Sequence, residues 1–150
     1  MPAFFVFGRI IFAVVFIYSG ATKLFGIQAT ADVIASKVAI PEMLLPYAAQ
    51  LQTLTGMPTA QTLAIAAGAF EVIAGLMIAL NFGARFFALL MIVYVAVATF
   101  YFYDFWNQAA PDNAKVLVDA LKNLAIIGAL FMIIGYGRTT RPVEAAYGDV

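Results

Sequence analysis

The sequence predicts an all-α integral membrane protein, a single domain in which four antiparallel transmembrane helices form a bundle. The first observation is composition, since 65% of the 150 residues are apolar and only 11% are charged, whereas soluble domains are about half apolar. The second is that four windows approach the roughly 20 apolar residues that a helix needs to cross a bilayer. A soluble core of this size could not bury so much apolar surface.

The four windows are separated by segments that are typical of turns and loops. Between the second and third windows stands "NFGAR", residues 81–85, whose Asn and Gly suit a tight turn. The polar run "NQAAPDNAK" precedes the fourth and contains a proline, as loops do. The windows cover residues of about 7–25, 63–80, 86–103 and 116–135.

The first window has a rival interpretation as a cleavable signal peptide. Arg9, an apolar run to Ala21 and the "ATA" at residues 29–31 imitate such a segment. However, only one positive charge, Arg9, precedes the apolar run, and Lys23 interrupts the approach to the cleavage site. We therefore expect a retained first helix.

The connection between the first two spans is longer than ordinary loops and predicts short helices. Apolar residues recur there at helical spacing on both sides of Pro41. This pattern favours helices at the membrane surface or in the mouth of the bundle. The residues are Ile34, Val38, Met43, Leu44, Tyr47 and Leu51.

Positive charges predict the orientation, because loops rich in Lys and Arg stay in the cytoplasm. Four arginines would share one side: Arg9, Arg85, Arg138 and Arg141. An even number of spans then places both termini in the cytoplasm, with the protein in the inner membrane. The lipid bilayer is its expected surroundings.

Absent residue types exclude several kinds of chemistry. The chain has no cysteine and no histidine, so disulfides, iron–sulfur clusters and the usual haem and zinc ligands are not expected, and we predict no metal site. The net charge is zero and the basic residues are scattered, which argues against nucleic acid as a partner. Redox chemistry would need an organic cofactor, such as a quinone, or a partner subunit.

Polar side chains inside the spans predict a polar seam in the outward half of the bundle. A charge at membrane depth costs at least about 2.5–3.5 kcal/mol, so these side chains should face protein. Helical spacing places Ser19 and Lys23 on one face of the first helix. It places Asp119, Lys122 and Asn123 on one stripe of the fourth helix. The predicted seam consists of Ser19, Lys23, Glu71, Asp119, Lys122 and Asn123.

This seam has a structural and a functional interpretation. Glu71 could form a buried ion pair with Lys23 or Lys122 that determines helix order. Alternatively, two lysines around one carboxylate would hold a surplus positive charge for an anionic or quinone-like ligand, unless Asp119 neutralises it. Small residues beside Glu71, Gly68 and Gly75, allow close helix packing within the chain. An exposed stripe of small residues elsewhere could mediate a homo-oligomer.

Aromatic residues crowd "ATFYFYDFW", residues 98–106. An aromatic belt at the membrane interface explains such clusters, and Trp106 with Arg9 and Arg85 would anchor the span ends. A second hypothesis is that tyrosines line a slot that accepts a flat ring. The candidates are Tyr94, Tyr101 and Tyr103.

The sequence resembles the DoxX family of small four-helix membrane proteins over residues 8–135. The resemblance rests on "GRIIFAVVFIYSGATKLFG", "FEVIAGLMIALNFGARFFAL", "FYDFW" and "LKNLAIIGALFMI" in this order. Where family members often have Phe-His-Asp-Phe-Trp, this chain has Tyr103. The family's polar residues would correspond to Arg9, Lys23, Glu71, Arg85, Trp106, Lys122 and Asn123.

The resemblance implies a bundle in a bacterial-type inner membrane, in a family linked in some members to quinone-dependent sulfur oxidation and oxidative-stress complexes. We expect the membrane subunit of such a complex, which binds a quinone-like or anionic ligand in the polar seam and works with a redox partner. The alternatives are a small transporter or permeation pathway, and a structural anchor or assembly factor without a ligand.

Overall fold

The computed structural model describes residues 3–136 and contains six α-helices in that range. Four of them are long and apolar enough to cross a membrane, which confirms the predicted all-α bundle. The two short helices lie in the connection between the first two spans. The helices are α1 (Ala3–Phe25), α2 (Ile27–Lys37), α3 (Leu45–Thr55), α4 (Thr59–Leu80), α5 (Ala84–Phe102) and α6 (Asp112–Tyr136).

The long helices begin before the predicted windows. Helix α4 begins at Thr59 and α6 at Asp112, each directly after a proline, whose fixed φ and missing N–H suit a helix start. Both first turns are polar, "TAQT" and "DNAK". Hydropathy alone omits such turns, although their backbone is helical. Arg138 and Arg141, used for the predicted orientation, lie outside the described residues.

Neighbouring long helices run antiparallel, in the order α1, α4, α5, α6. Helix α1 packs most extensively against α4, and α5 packs against both α4 and α6. The α4–α5 turn is tight, with left-handed backbone at Asn81 (φ 61°) and Gly83 (φ 59°). Asn and Gly tolerate this conformation better than other residues. We call the end of the bundle at this turn the Arg9 end and the opposite end the Lys37 end.

Glycines let α1 and α4 approach closely. A Cβ atom added at Gly20 would lie 2.5 Å from the carbonyl oxygen of Gly68, and one at Gly75 would lie 2.9 Å from a side-chain carbon of Ile17. The helix backbones are therefore in direct contact, as at other small-residue interfaces of membrane helices. The glycines beside Glu71 are thus used for packing within the chain, as expected.

The apolar core occupies mainly the Arg9 half of the bundle. All four long helices contribute side chains to it. Three large side chains are fully buried: Ile78 of α4, Met91 of α5 and Leu130 of α6. This half of the bundle is therefore filled by side chains, while Ser19, Lys23 and Asn123 lie in the Lys37 half.

The connection between α1 and α4 forms two helices with different surroundings. Helix α2 packs against α4, where Ala31 and Ile34 are buried against Ala64. Helix α3 buries no residue completely, and it exposes Tyr47 and Leu54 (69% and 76%). Helix α2 therefore lies in the mouth of the bundle, and α3 presents the uncharged, apolar surface expected at a membrane interface.

Candidate functional site

A cavity of about 610 Å³ lies in the Lys37 half of the bundle. Helices α1, α4, α5 and α6 form its walls, and α2 covers it at the mouth. Its lining is mainly apolar. The lining residues with polar side-chain atoms are Ser19, Lys23, Thr30, Lys37, Glu71, Tyr94, Tyr101, Tyr103 and Asn123.

A hydrogen-bonded cluster around Glu71 forms the inner end of this cavity. Lys23 Nζ lies 3.0 Å from Glu71 Oε2 and donates a second hydrogen bond, of 2.7 Å, to Ser19 Oγ. The hydroxyl group of Tyr94 donates to Glu71 Oε1. We call Ser19, Lys23, Glu71 and Tyr94 the Glu71 cluster. It joins α1, α4 and α5 near the middle of the bundle.

The Glu71 cluster is electrically neutral and unevenly buried. The Glu71 side chain is 4% exposed, whereas that of Lys23 is 28% exposed. Both carboxylate oxygens accept a hydrogen bond from within the protein, which offsets much of the cost of removing the charge from water. An ammonium group has three N–H donors, and Lys23 uses two of them. The third can meet a ligand in the cavity.

Asn123 provides a second polar position in the cavity wall. Its amide Nδ2 donates a hydrogen bond of 3.0 Å to Thr99 Oγ1, which links α6 to α5. The Thr99 hydroxyl donates in turn to the carbonyl oxygen of Val95. The carbonyl oxygen and the second amide hydrogen of Asn123 are thus left for a ligand.

The mouth of the cavity carries an ion pair that the sequence analysis missed. Lys37 Nζ, at the end of α2, lies 3.4 Å from Asp104 Oδ1, which also accepts a hydrogen bond from Gln108. Tyr101 and Tyr103 line the cavity nearby. The sequence put Lys37 in a surface connection, and only the docking of α2 brings it to this site. The available signal in the sequence was a helical pattern in this connection that ends at a lysine, Lys37.

Two predicted seam residues lie elsewhere. Lys122 Nζ is 2.8 Å from Asp119 Oδ1 on α6, and their side chains are 69% and 47% exposed. The predicted arrangement of two lysines around Glu71 is therefore wrong, because Lys122 points to the outside of α6. Asn123, the next residue, points about 100° further around the helix and lines the cavity.

Arg9, one of the three predicted anchors, is buried. It is 6% exposed and donates through Nη1 to Asn81 Oδ1 and through Nη2 to the carbonyl oxygen of Ala79. A cation beside the last carbonyl groups of a helix also interacts favourably with its dipole. Arg9 therefore ties α1 to the end of α4. Arg85 and Trp106 are exposed, as membrane-end anchors would be.

The donor set of the site suits an organic molecule better than a metal ion. Within residues 3–136, His, Cys, Asp and Glu do not come together in groups of three. The one carboxylate in the cavity wall is already paired with a lysine. An apolar cavity with a few hydrogen-bonding groups is typical of small-molecule sites.

Fold and site together define a small polytopic membrane protein with an internal cavity and a buried carboxylate–lysine pair. The DoxX family model matches residues 4–104, so the chain belongs to the DoxX family. The match covers α1 to α5 and includes Ser19, Lys23, Glu71 and Tyr94. Comparisons with curated proteins and with solved structures found no match.

Proposed function

We propose that this protein binds a quinone-like, lipophilic carbonyl compound in the cavity and acts as the membrane subunit of a redox complex. The observation that carries this proposal is the cavity itself, an apolar chamber with the Glu71 cluster at its inner end. Its volume of about 610 Å³ falls in the range of about 300–1,000 Å³ that is common for small-molecule sites.

Two polar groups support the recognition of carbonyl oxygens. The third N–H of Lys23 is a charge-assisted donor, and such hydrogen bonds are about twice as strong as neutral ones. Asn123, across the cavity on α6, offers a second N–H. A flat ring with carbonyl oxygens on opposite edges can accept from both. The rings of Tyr101 and Tyr103 offer faces on which it can stack.

The neutral Glu71 cluster favours an uncharged ligand over an anion. Lys23 is already compensated by Glu71 at 3.0 Å, so an anion would meet a carboxylate beside the ammonium group. A carbonyl compound takes only the remaining donor. Of the two ligand classes that the sequence left open, we therefore propose the quinone-like one.

Electron transfer would require a partner. The chain has neither histidine nor cysteine, the residues that usually hold haem, copper or iron–sulfur clusters. Reduction of a quinone to a quinol takes up two electrons and two protons. The electrons would come from a partner subunit with its own redox group, while this protein holds and orients the quinone.

A binding measurement tests the proposal. The purified protein in lipid nanodiscs is titrated with a tritiated benzoquinone, and bound ligand is separated by filtration. We expect saturable binding that weakens by about tenfold to a hundredfold in Lys23→Met, since a lost charge-assisted hydrogen bond costs roughly 1.5–3 kcal/mol. Lys115→Met is the matched control, because Lys115 is an exposed lysine on α6 that does not line the cavity. Absence of saturable binding to the wild-type protein would refute the proposal.

The Glu71 cluster also supports the structural alternative, an anchor without a ligand. The two functions differ in the expected effect of Asn123→Leu, which removes the second proposed donor to the ligand and leaves the Glu71 cluster unchanged. A structural role predicts a change in stability alone. The proposed function predicts weaker quinone binding as well. The packed Arg9 half of the bundle favours a binding site over a permeation pathway.

A further inference from the structure

We infer that the cavity opens sideways into the lipid between α1 and α6, and that the ligand leaves an apolar tail in this opening while its ring lies inside. This inference rests on the proposed function and names its ligand class: a ring compound with a long hydrocarbon chain that is dissolved in the bilayer. The alternative is a compact ligand that reaches the site from water.

The first observation is that the backbones of α1 and α6 make little direct contact, unlike those of α1 with α4 or of α5 with α6. At the Arg9 end, large side chains fill the space between these two helices, where the rings of Phe5 and Tyr136 stack with centroids 3.7 Å apart. Side chains and not backbone contacts therefore decide where the space between α1 and α6 is closed.

The second observation is a change in exposure along one face of α6. Tyr136, Ala129 and Lys122 follow each other at seven-residue spacing, so they lie on the same side of the helix, the side that meets α1 through Tyr136. Ile133, beside Tyr136 on this face, is 8% exposed. The side chain of Lys122 is 69% exposed. Helix α1 thus covers this face in the Arg9 half and leaves it uncovered in the Lys37 half.

The third observation concerns the opposite wall of the gap. Val15 of α1 lines the cavity and is also 51% exposed. Val15 therefore stands at the boundary between the cavity and the outside of the bundle. Ser19, one turn further along the same face, also lines the cavity and belongs to the Glu71 cluster. The opening therefore leads directly to the polar end of the site.

Other routes into the cavity are more closely packed. Glycine contacts hold α1 against α4, and α2 covers the mouth, where Lys37 pairs with Asp104. Helices α4 and α5 are joined by the ring contact of Phe70 with Tyr94, whose centroids are 5.3 Å apart. Val97 of α5 and Val33 of α2 also line the cavity and are 51% and 52% exposed. Val97→Trp therefore tests an α4–α5 opening, and Val33→Trp tests an opening beside α2.

The Lys122–Asp119 pair fits this arrangement. It stands on the α6 side of the gap, towards the Lys37 end. If the gap held only lipid, the charges of this pair would face hydrocarbon at a cost in free energy. A gap that admits the polar edge of a ligand ring also admits water to this pair. The opening thus has an apolar part towards the Arg9 end, which can hold a hydrocarbon chain. Its rim towards the Lys37 end is polar, and the ring can move past it.

The test compares two probes that share one ring: dimethoxy-methyl-benzoquinone without a tail, and the same ring with a decyl tail. Binding is measured in nanodiscs, with the ligand concentration expressed per lipid. In Val15→Trp, we expect affinity for the decyl compound to fall about tenfold or more, because the indole occupies the space of the tail. Affinity for the tail-less ring should stay within about twofold.

Val14→Trp is the matched control. Val14 is the adjacent valine of the same helix, is 54% exposed and does not line the cavity, so both probes should bind it as they bind the wild-type protein. Equal losses for both probes in Val15→Trp would overturn the inference. So would a loss selective for the decyl compound in Val97→Trp, because it would place the opening between α4 and α5.

A second measurement does not depend on a bulky substitution. The chain has no cysteine, so Val15→Cys provides a unique thiol for a nitroxide spin label. We expect the decyl compound to reduce collisions of the label with oxygen dissolved in the lipid, and the tail-less ring to leave them unchanged. An equal effect of the two probes would contradict the inference. If neither probe binds the wild-type protein, the proposed function itself fails; if the ring binds but the tail has no effect, only this inference fails.

Discussion

Breaking the Lys23–Glu71 pair should destabilise the bundle unequally from its two sides. Loss of one partner of a fully buried pair typically costs about 3–5 kcal/mol, and an exposed pair contributes only about 0–1 kcal/mol. The Glu71 side chain is 4% exposed and that of Lys23 is 28% exposed. Lys23→Met leaves the more deeply buried charge without its partner and should cost about 3 kcal/mol. Glu71→Gln leaves the more exposed charge, still bonded to Ser19, and should cost about 2 kcal/mol.

The assay is reversible unfolding by SDS in mixed micelles, followed by circular dichroism, for both single variants and the double variant. The double variant should be more stable than the sum of the single losses predicts, by at least about 1 kcal/mol, since partners in direct contact couple by roughly 0.5–3 kcal/mol. Additive losses would refute the reasoning, because they would mean that the two charges do not stabilise each other. A larger loss for Glu71→Gln than for Lys23→Met would contradict the inference from burial.

Three further predictions concern packing and charge. Gly20→Ala should destabilise the protein by about 1–3 kcal/mol, because the new methyl group meets the α4 backbone, whereas Gly8→Ala, with no atom within 4 Å of the added carbon, should be neutral or stabilising in the same SDS titration. Arg9→Lys should cost about 1–3 kcal/mol, because one ammonium group cannot reproduce both guanidinium hydrogen bonds; an unchanged unfolding midpoint would argue against its role at the end of α4. Lys122→Met should leave the thermal unfolding temperature unchanged, and a clear decrease would show that its pair with Asp119 contributes to folding.

The transmembrane helices could be predicted because their signal is local. A helix that crosses a bilayer must satisfy its own backbone hydrogen bonds and present apolar side chains to lipid, so hydropathy alone locates it. The same signal was less accurate at the helix starts, where Thr59 and Asp112 begin polar first turns. There the proline before each helix was the better indicator.

The polar site could be predicted only in part. Lys23 and Ser19 are four residues apart on one helix, and the cost of burying Glu71 required a nearby partner, so these three were expected to meet. The choice between Lys23 and Lys122 as that partner depends on helix rotation. A rotation of about 100° per residue puts Asn123 in the cavity wall and Lys122 outside it, and hydropathy is almost the same at both positions.

Hydropathy, helical periodicity and the cost of charge in a membrane were enough to determine that this chain forms a four-helix bundle with Glu71 turned inwards. Each of these properties depends on neighbours along the chain or on lipid. The partner of Glu71, the docking of α2 over the cavity and the sparse backbone contact between α1 and α6 were decided only in the tertiary structure. They depend on which side chains of separate helices fit together, as Gly20 fits against Gly68, and this complementarity has no local signature in the sequence.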